Sequence, residues 1–201
     1  MSYVQLLPKE RHQPTLSTMI TLPASPFPIL ATARLVLREL RPSDAQALFT
    51  MRSDPRVMEH IGRPIATTLK DAADLIERIA QDQKDGTGIT WAITMKDDDM
   101  LIGTIGYYRL KVEHYRGEIG YMLSADLWRK GLMGEALDAA VKCGFEHLGF
   151  HSIEAITDPL NIASNKLLEK HGFIREGLFK ENFYWNGEFK DSAVWCKLST
   201  Y

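Results

Sequence analysis

The stretch EIGYMLSADLWRKGLMGEAL, residues 118–137, places an apolar strand-like run before a turn holding two cations and two glycines, and then a helix-forming run. A chain that passes from strand through glycine-bearing turn into helix exposes backbone N–H groups that have no partner in the helix, and the helix dipole adds positive potential there. Gly131 and Gly134 allow close approach of backbone to a ligand, and Arg129 and Lys130 add charge. Two readings follow: an anion site, or an ordinary strand-to-helix turn with solvated cations. The spacing is neither GxxxxGK[ST] nor GxGxxG, so two common phosphate motifs are excluded.

Working outward, Ala136, Leu137, Ala140, Val141, Gly144, Phe145 and Leu148 recur at helical spacing up to a stop at Gly149. HSIEAIT then reads as a short strand, NIASNKLLEKHGF as a helix closed by Gly172, and FYWNGEFKDSAVWCKL as a hairpin turned at Asn186-Gly187. Upstream, TWAITMKDDDMLIGTIGYYRL forms two strands about an acidic turn. In RLVLREL, Leu35, Leu37 and Leu40 alternate with Arg34, Arg38 and Glu39 as a first strand. Ser43 with Gln46, and Thr68 with Asp71, have the spacing of capping boxes and predict two helix starts. The expected order is β-α-α-β-β-β-α-β-α-β-β, a mixed α/β layer. Residues 1–30 contain five prolines and read as an extended arm before a domain over 31–201.

The 201 residues are 45% hydrophobic and 25% charged, enough apolar material for one core. A net charge of -2 supplies no global field toward nucleic acid or an anionic membrane, so neither is expected as a partner. The apolar patch MITLPASPFPIL is short and broken by prolines, and no basic leader precedes it, so the cytoplasm is the expected location. Cys143 and Cys196 lie in apolar contexts and read as reduced core thiols, with one disulfide as the alternative. His147 and His151 are separated by Gly149 and lack an HExxH context, so no metal is expected.

Taken with NIASNKLLEKHGF some two dozen residues on, the opening stretch resembles the GNAT superfamily of acetyl-CoA-dependent N-acetyltransferases, specifically its ribosomal-protein (RimJ/RimL-like) branch. The resemblance runs from about Ala33 to Leu198. It implies the GNAT fold: a mixed, mostly antiparallel sheet flanked by helices, with one parallel strand pair splayed into a V. It implies that residues Arg129, Lys130, Gly131, Leu132, Met133 and Gly134 cradle the coenzyme A pyrophosphate, although Trp128 and Met133 depart from the general pattern. It further implies that Tyr121, Met122 and Leu123 offer backbone groups to pantetheine, which lies in the V.

By the same resemblance the Asn161 side chain meets the pantetheine arm; a helix N-cap is its other reading, and both can hold at once. The tyrosine that many relatives use to protonate the departing thiolate is replaced here by Leu168. Ser164 is the candidate replacement, against a local bond in the first helical turn. Glu118 is the candidate base, against a salt-bridged strand carboxylate; Glu181 and Asp191 are weaker alternatives. Neutralising an α-amino group at pH 7 costs about 1 kcal/mol and a lysine about 4.6 kcal/mol, so an N-terminal acceptor needs little help from a base.

The expected activity is therefore direct acetyl transfer from acetyl-CoA, as co-substrate, to a primary amine, foremost a protein N-terminus. The alternatives are a small-molecule amine (polyamine, amino acid or antibiotic), or a non-catalytic acyl-CoA-binding module. ENFYWNGEF supplies an aromatic wall suited to a bulky partner or to a homodimer interface.

Overall fold

The computed structural model describes Ile20, Leu22 and residues 26–199. Eight strands form one sheet in the order β1-β2-β3-β4-β5-β6-β8-β7. In chain order these are β1 Leu30–Ala31, β2 Leu35–Glu39, β3 Ile89–Met95, β4 Asp98–Lys111, β5 Arg116–Leu123, β6 Ser152–Thr157, β7 Ile174–Trp185 and β8 Glu188–Leu198. The helices are α1 Ala45–Arg52, α2 Pro55–Met58, α3 Leu69–Lys84, α4 Leu132–Glu146 and α5 Ile162–Lys170. Every neighbouring pair is antiparallel except β5 with β6.

Strand alternation sorts the side chains onto two faces. On one, Leu35, Leu37, Ile89, Trp91, Ile93, Ile105, Tyr107 and Ile119 pack against α4 and α5 as the main core. Full burial of each such side chain stabilises by about 1.5–3 kcal/mol. Helix α4 comes close because it presents Ala136, Ala140 and Gly144; the buried Tyr107 hydroxyl donates to the Ala140 carbonyl at 2.9 Å, and a Cβ on Gly144 would stand 2.5 Å from that hydroxyl. The other face carries a smaller core in which Leu48, Met51, Ala72 and Ile76 of α1 and α3 cover Ala92 and Leu101.

The Thr68–Asp71 capping box forms as expected: the Thr68 hydroxyl accepts from the Asp71 amide, and Asp71 accepts from the Thr68 amide at 2.9 Å. The expected Ser43–Gln46 box does not. Asp44 instead accepts from the Arg41 amide at 2.8 Å, a one-turn 3₁₀ helix covers Pro42–Asp44, and α1 starts at Ala45. Asp44 is drawn inward by Arg38, which is 5% exposed and bonds both Asp44 oxygens at 2.8 Å. The polar phase of the first strand is thus covered by α1 and α3, and Arg38 survives there through its carboxylates.

Most of the expected arm lies outside the described residues. Its described part is seated: Ile20 and Leu22 belong to the main core, the Trp91 indole donates to the Pro28 carbonyl at 2.7 Å, and Leu30 already belongs to β1. The Asn186-Gly187 turn forms with φ of 49° and 82°, and β7 begins at Ile174, nine residues before the expected hairpin. Cys143 and Cys196 are buried and unbridged. Burial pushes the Cys143 thiol up to about 11, which removes it as a nucleophile.

Candidate active site

The parallel pair holds register for three positions only, Arg116 with Ser152, Gly117 with Ile153 and Glu118 with Glu154. Beyond Glu118, β5 stays on β4 while β6 continues along β8, so the sheet parts at its centre. The Ser124 amide donates to the Ile102 carbonyl on β4 at 2.9 Å. By antiparallel alternation, Met122 also spends its backbone groups on β4, whereas Tyr121 and Leu123 turn theirs toward the gap. Met122 therefore leaves the expected pantetheine set; its side chain packs against the α1–α3 core. The Leu123 carbonyl is also occupied, accepting the Trp128 indole N–H at 2.9 Å. Tyr121 N–H and C=O and Leu123 N–H are what β5 offers the opening.

The same indole bond anchors the turn into α4. Arg129 and Gly131 both adopt left-handed backbone, φ 62° and 75°, the second favouring glycine. Gly131 is the helix N-cap, with no side-chain cap bond, and the first intrahelical bond is Glu135 N–H to Gly131 C=O. The amides of Leu132, Met133 and Gly134 precede that bond, so they have no acceptor within the helix. Gly134 serves a different purpose from the one expected: a Cβ there would stand 2.6 Å from His171, so its bareness admits the end of α5. His171 is itself held by Asp138 at 2.6 Å.

One cation escaped the sequence reading. Arg34, 47% exposed at its side chain, gives Nε to Glu135 at 2.7 Å and Nη1 to the Lys130 carbonyl at 2.9 Å, clamping this turn to β2. Burial would raise the Glu135 carboxyl, but bonds from the Thr32 hydroxyl and from the Arg34 amide and guanidinium outweigh it and hold the group at about 2.

On α5, Asn161 Oδ1 accepts the Ser164 amide at 3.0 Å, so its capping role is realised. Ser164 Oγ lies 2.8 Å from the Tyr121 hydroxyl, across the mouth of the gap. That pair was missed because the two residues are 43 apart in sequence and only the parting of β5 and β6 brings them together. Burial pushes the Tyr121 hydroxyl up to about 12. Leu168 is fully buried in the core and leaves no hydroxyl at the family's usual acid position.

Glu118 projects on the opposite face from Ile119 and Tyr121. It is 5% exposed, and Arg109 Nη1 reaches both its oxygens at 3.0 Å. Burial raises its pKa against the pull of Arg109, and neighbouring Glu154 adds to the rise. The Tyr108 hydroxyl lies over Gly120, where a Cβ would stand 2.2 Å away, and interacts with Glu118. Glu181 and Asp191 are elsewhere: the Asp191 carboxylate takes the Glu181 amide at 2.9 Å in the β7–β8 hairpin, where Glu181 has φ 51°, so both belong to a hairpin irregularity. Among the described residues no group of three or more His, Cys, Asp or Glu could hold a metal, and no helix is long and apolar enough to cross a membrane.

A mixed sheet parted at its centre, with a bare helix N-terminus at the opening, is the architecture of the GNAT fold class. The chain belongs to the GNAT acetyltransferase family: the profile described as Acetyltransferase (GNAT) domain matches residues 34–174. It is an N-acetyltransferase. A Bacillus subtilis (strain 168) relative, described as uncharacterized N-acetyltransferase YoaA, is 38% identical over 169 residues, 84% of this chain and 96% of that one. Escherichia coli (strain K12) spermidine N(1)-acetyltransferase is 22% identical over 160 residues, 80% of this chain and 83% of that one. Among solved structures, RimL, a ribosomal L7/L12 alpha-N-protein acetyltransferase in complex with coenzyme A, superposes with TM-score 0.78 at 18% identity, covering 85% of this chain and 98% of that one. That likeness concerns the fold alone.

Proposed function

We propose that this enzyme moves the acetyl group of acetyl-CoA directly to a primary α-amino group, foremost that of a protein N-terminus. The observation that carries the reading is the parted sheet, with a hydroxyl pair on one face of the opening and a buried carboxylate on the other. The residues present fit the co-substrate. The free amides of Leu132, Met133 and Gly134, beside Arg129 and Lys130, suit the pyrophosphate. Tyr121 and Leu123 backbone groups suit pantetheine, and Asn161, its oxygen used as a cap, retains its amide N–H groups for the same arm.

Bound there, acetyl-CoA supplies a thioester carbonyl. The amine nitrogen forms its bond to that carbon as the carbon–sulfur bond breaks, and an amine proton passes to Glu118 directly or through water. Glu118 suits this role because burial raises its proton affinity while Arg109 keeps the charged form accessible. The departing sulfur takes the Ser164 proton, and the serine oxygen regains one from the Tyr121 hydroxyl, which solvent restores. The bond between the two hydroxyls suits this with Tyr121 as its donor, which leaves the serine hydrogen free to point into the gap. The exposed aromatic pairs of the β7–β8 hairpin, Phe183 stacked with Trp185 and Tyr184 packed on Phe189, offer apolar surface to a peptide acceptor.

The test is calorimetric titration with acetyl-CoA, followed by mass spectrometry of N-terminal peptides and free amines after incubation. Submillimolar binding and a +42 Da peptide product are expected. Gly131→Val, a β-branched residue forced into left-handed backbone, is expected to weaken acetyl-CoA binding at least ten-fold; undiminished affinity would remove the phosphate assignment.

A further inference from the structure

On the Glu118 face, three arginines from three separate elements line one groove of about 810 Å³: Arg52 at the end of α1, Arg63 in the connection from α2 to α3, and Arg78 on α3. Among the described residues none of the three forms an ion pair. Arg52, half-buried, gives one hydrogen bond, to the Pro64 carbonyl at 3.1 Å. Its burial and the fields of Arg78 and Arg63 lower its pKa, as expected where like charges converge without a counter-ion.

Two carboxylates share the groove, and both are committed. Asp71 accepts the amides of Thr67 and Thr68 at 2.8 and 2.9 Å, which fixes the start of α3. Asp74 is held by Lys70 at 2.6 Å. Three arginines thus face two carboxylates, one of which Lys70 already pairs, and the excess positive charge is left for something from outside. Guanidinium forks match carboxylate geometry, and a polycation would meet repulsion.

The groove lies on the side of the sheet to which Glu118 points: α1 and α3, which supply Arg52 and Arg78, cover that face and pack against Met122, four residues along β5 from Glu118. The same Arg63, with Pro64 and Ile65, walls a second hollow that reaches Trp185 and Lys190 on the β7–β8 hairpin. An amine delivered to Glu118 would thus have its trailing part beside arginines.

We propose that the acceptor is an acidic N-terminal peptide, one bearing aspartate or glutamate side chains close behind its α-amino group, and that Arg52, Arg63 and Arg78 select it. The inference rests on the acetyltransferase reading above and deepens it. It explains why a chain with no net positive charge keeps three arginines without ion-pair partners among the described residues on one groove.

The experiment uses the full chain with peptides identical except at positions two to four, which carry Asp/Glu, Asn/Gln or Lys, with spermidine and free aspartate as further acceptors. Both kcat/KM for acetylation and binding of the fluorescently labelled acidic peptide are measured. The acidic peptide is expected to exceed its amide counterpart at least ten-fold, chiefly in KM and less so at high salt. Arg63→Gln and Arg78→Gln, at exposed positions where folding is not at stake, are expected to cut that ratio at least five-fold.

Equal use of acidic and amide peptides, or preference for spermidine, would overturn the inference. So would free aspartate equalling the acidic peptide. Charge-dependent peptide binding that the arginine variants abolish, without transfer to any amine, would remove the N-terminal transfer reading and leave the groove assignment standing.

Discussion

Ser164 carries the largest share of the proposed chemistry at the level of a single side chain, and the Tyr121 hydroxyl 2.8 Å from it is the partner proposed to orient its hydrogen. Removing the hydroxyl in Ser164→Ala should lower kcat about 10²-fold with acetyl-CoA affinity retained, the size expected for losing a general acid. Tyr121→Phe should cost less, because serine keeps its own proton but loses its orientation. Presteady-state acetyl transfer on both variants tests this, and wild-type rates in Ser164→Ala would assign the proton to water. The Asn161 cap on α5 was legible from the NIASNK motif. The Tyr121 hydroxyl was not, since an apolar strand pattern gives no sign of which hydroxyl will meet a helix 43 residues away. Met122 was misassigned for a related reason: a period of two tells which side chains share a face, but not which backbone groups are already paired.

Two charged clasps set the geometry of whole elements. Arg34 and Glu135 tie the start of α4 to β2. Glu135 is held at about 2 when folded, against an ordinary value of 4.5, so its stabilisation is fully present above about pH 4.5 and is lost as pH falls toward 2. Glu135→Gln should flatten that part of the urea-midpoint profile while reducing stability at pH 7. Arg38, with Asp44 and Asp99, locks β2 to the start of α1 and to the β3–β4 turn. Its hydrogen bonds to Asp44, set against burial, raise the already high pKa of the guanidinium. Arg38→Met leaves Asp44 buried without a counter-ion and should cost about 3–5 kcal/mol in chemical denaturation. Elements were legible where local chemistry dictated them, as in the Thr68–Asp71 box, the Asn186-Gly187 turn and the small-residue face of α4. The Ser43 cap failed because Arg38, six residues before Asp44 on β2, draws that carboxylate inward and sets the turn in place of the serine hydroxyl.

For the molecule as a whole, Glu118 and the Ser164–Tyr121 pair stand on opposite faces of one sheet, and Glu118, as the proposed base, would link the pH dependence of the enzyme to that arrangement. Its raised pKa predicts an acid limb in kcat/KM above the usual carboxylate range, with activity rising as Glu118 deprotonates. Glu118→Gln should abolish this limb and leave only the titration of the amine. An unchanged profile would hand the base role to solvent. The architecture itself was readable from the order of elements, because strand, turn and helix signals agreed. The depth of the parting was not, since it depends on where β6 leaves β5 for β8.

Most sheets keep their unpaired amides at the margin, where charge, bulges or covering loops hide them from other chains. This one holds such an edge at its centre, along Tyr121 to Leu123, and on the proposed reading the pantetheine arm closes it where a strand otherwise would. The amides of Tyr121 and Leu123 should therefore be the fastest-exchanging of any in β5 in hydrogen–deuterium exchange of the free enzyme, and should slow markedly when coenzyme A is added. By that account the cellular pool of coenzyme is also a structural component, shielding the interior edge from adhesion to extended chains whenever the enzyme is idle.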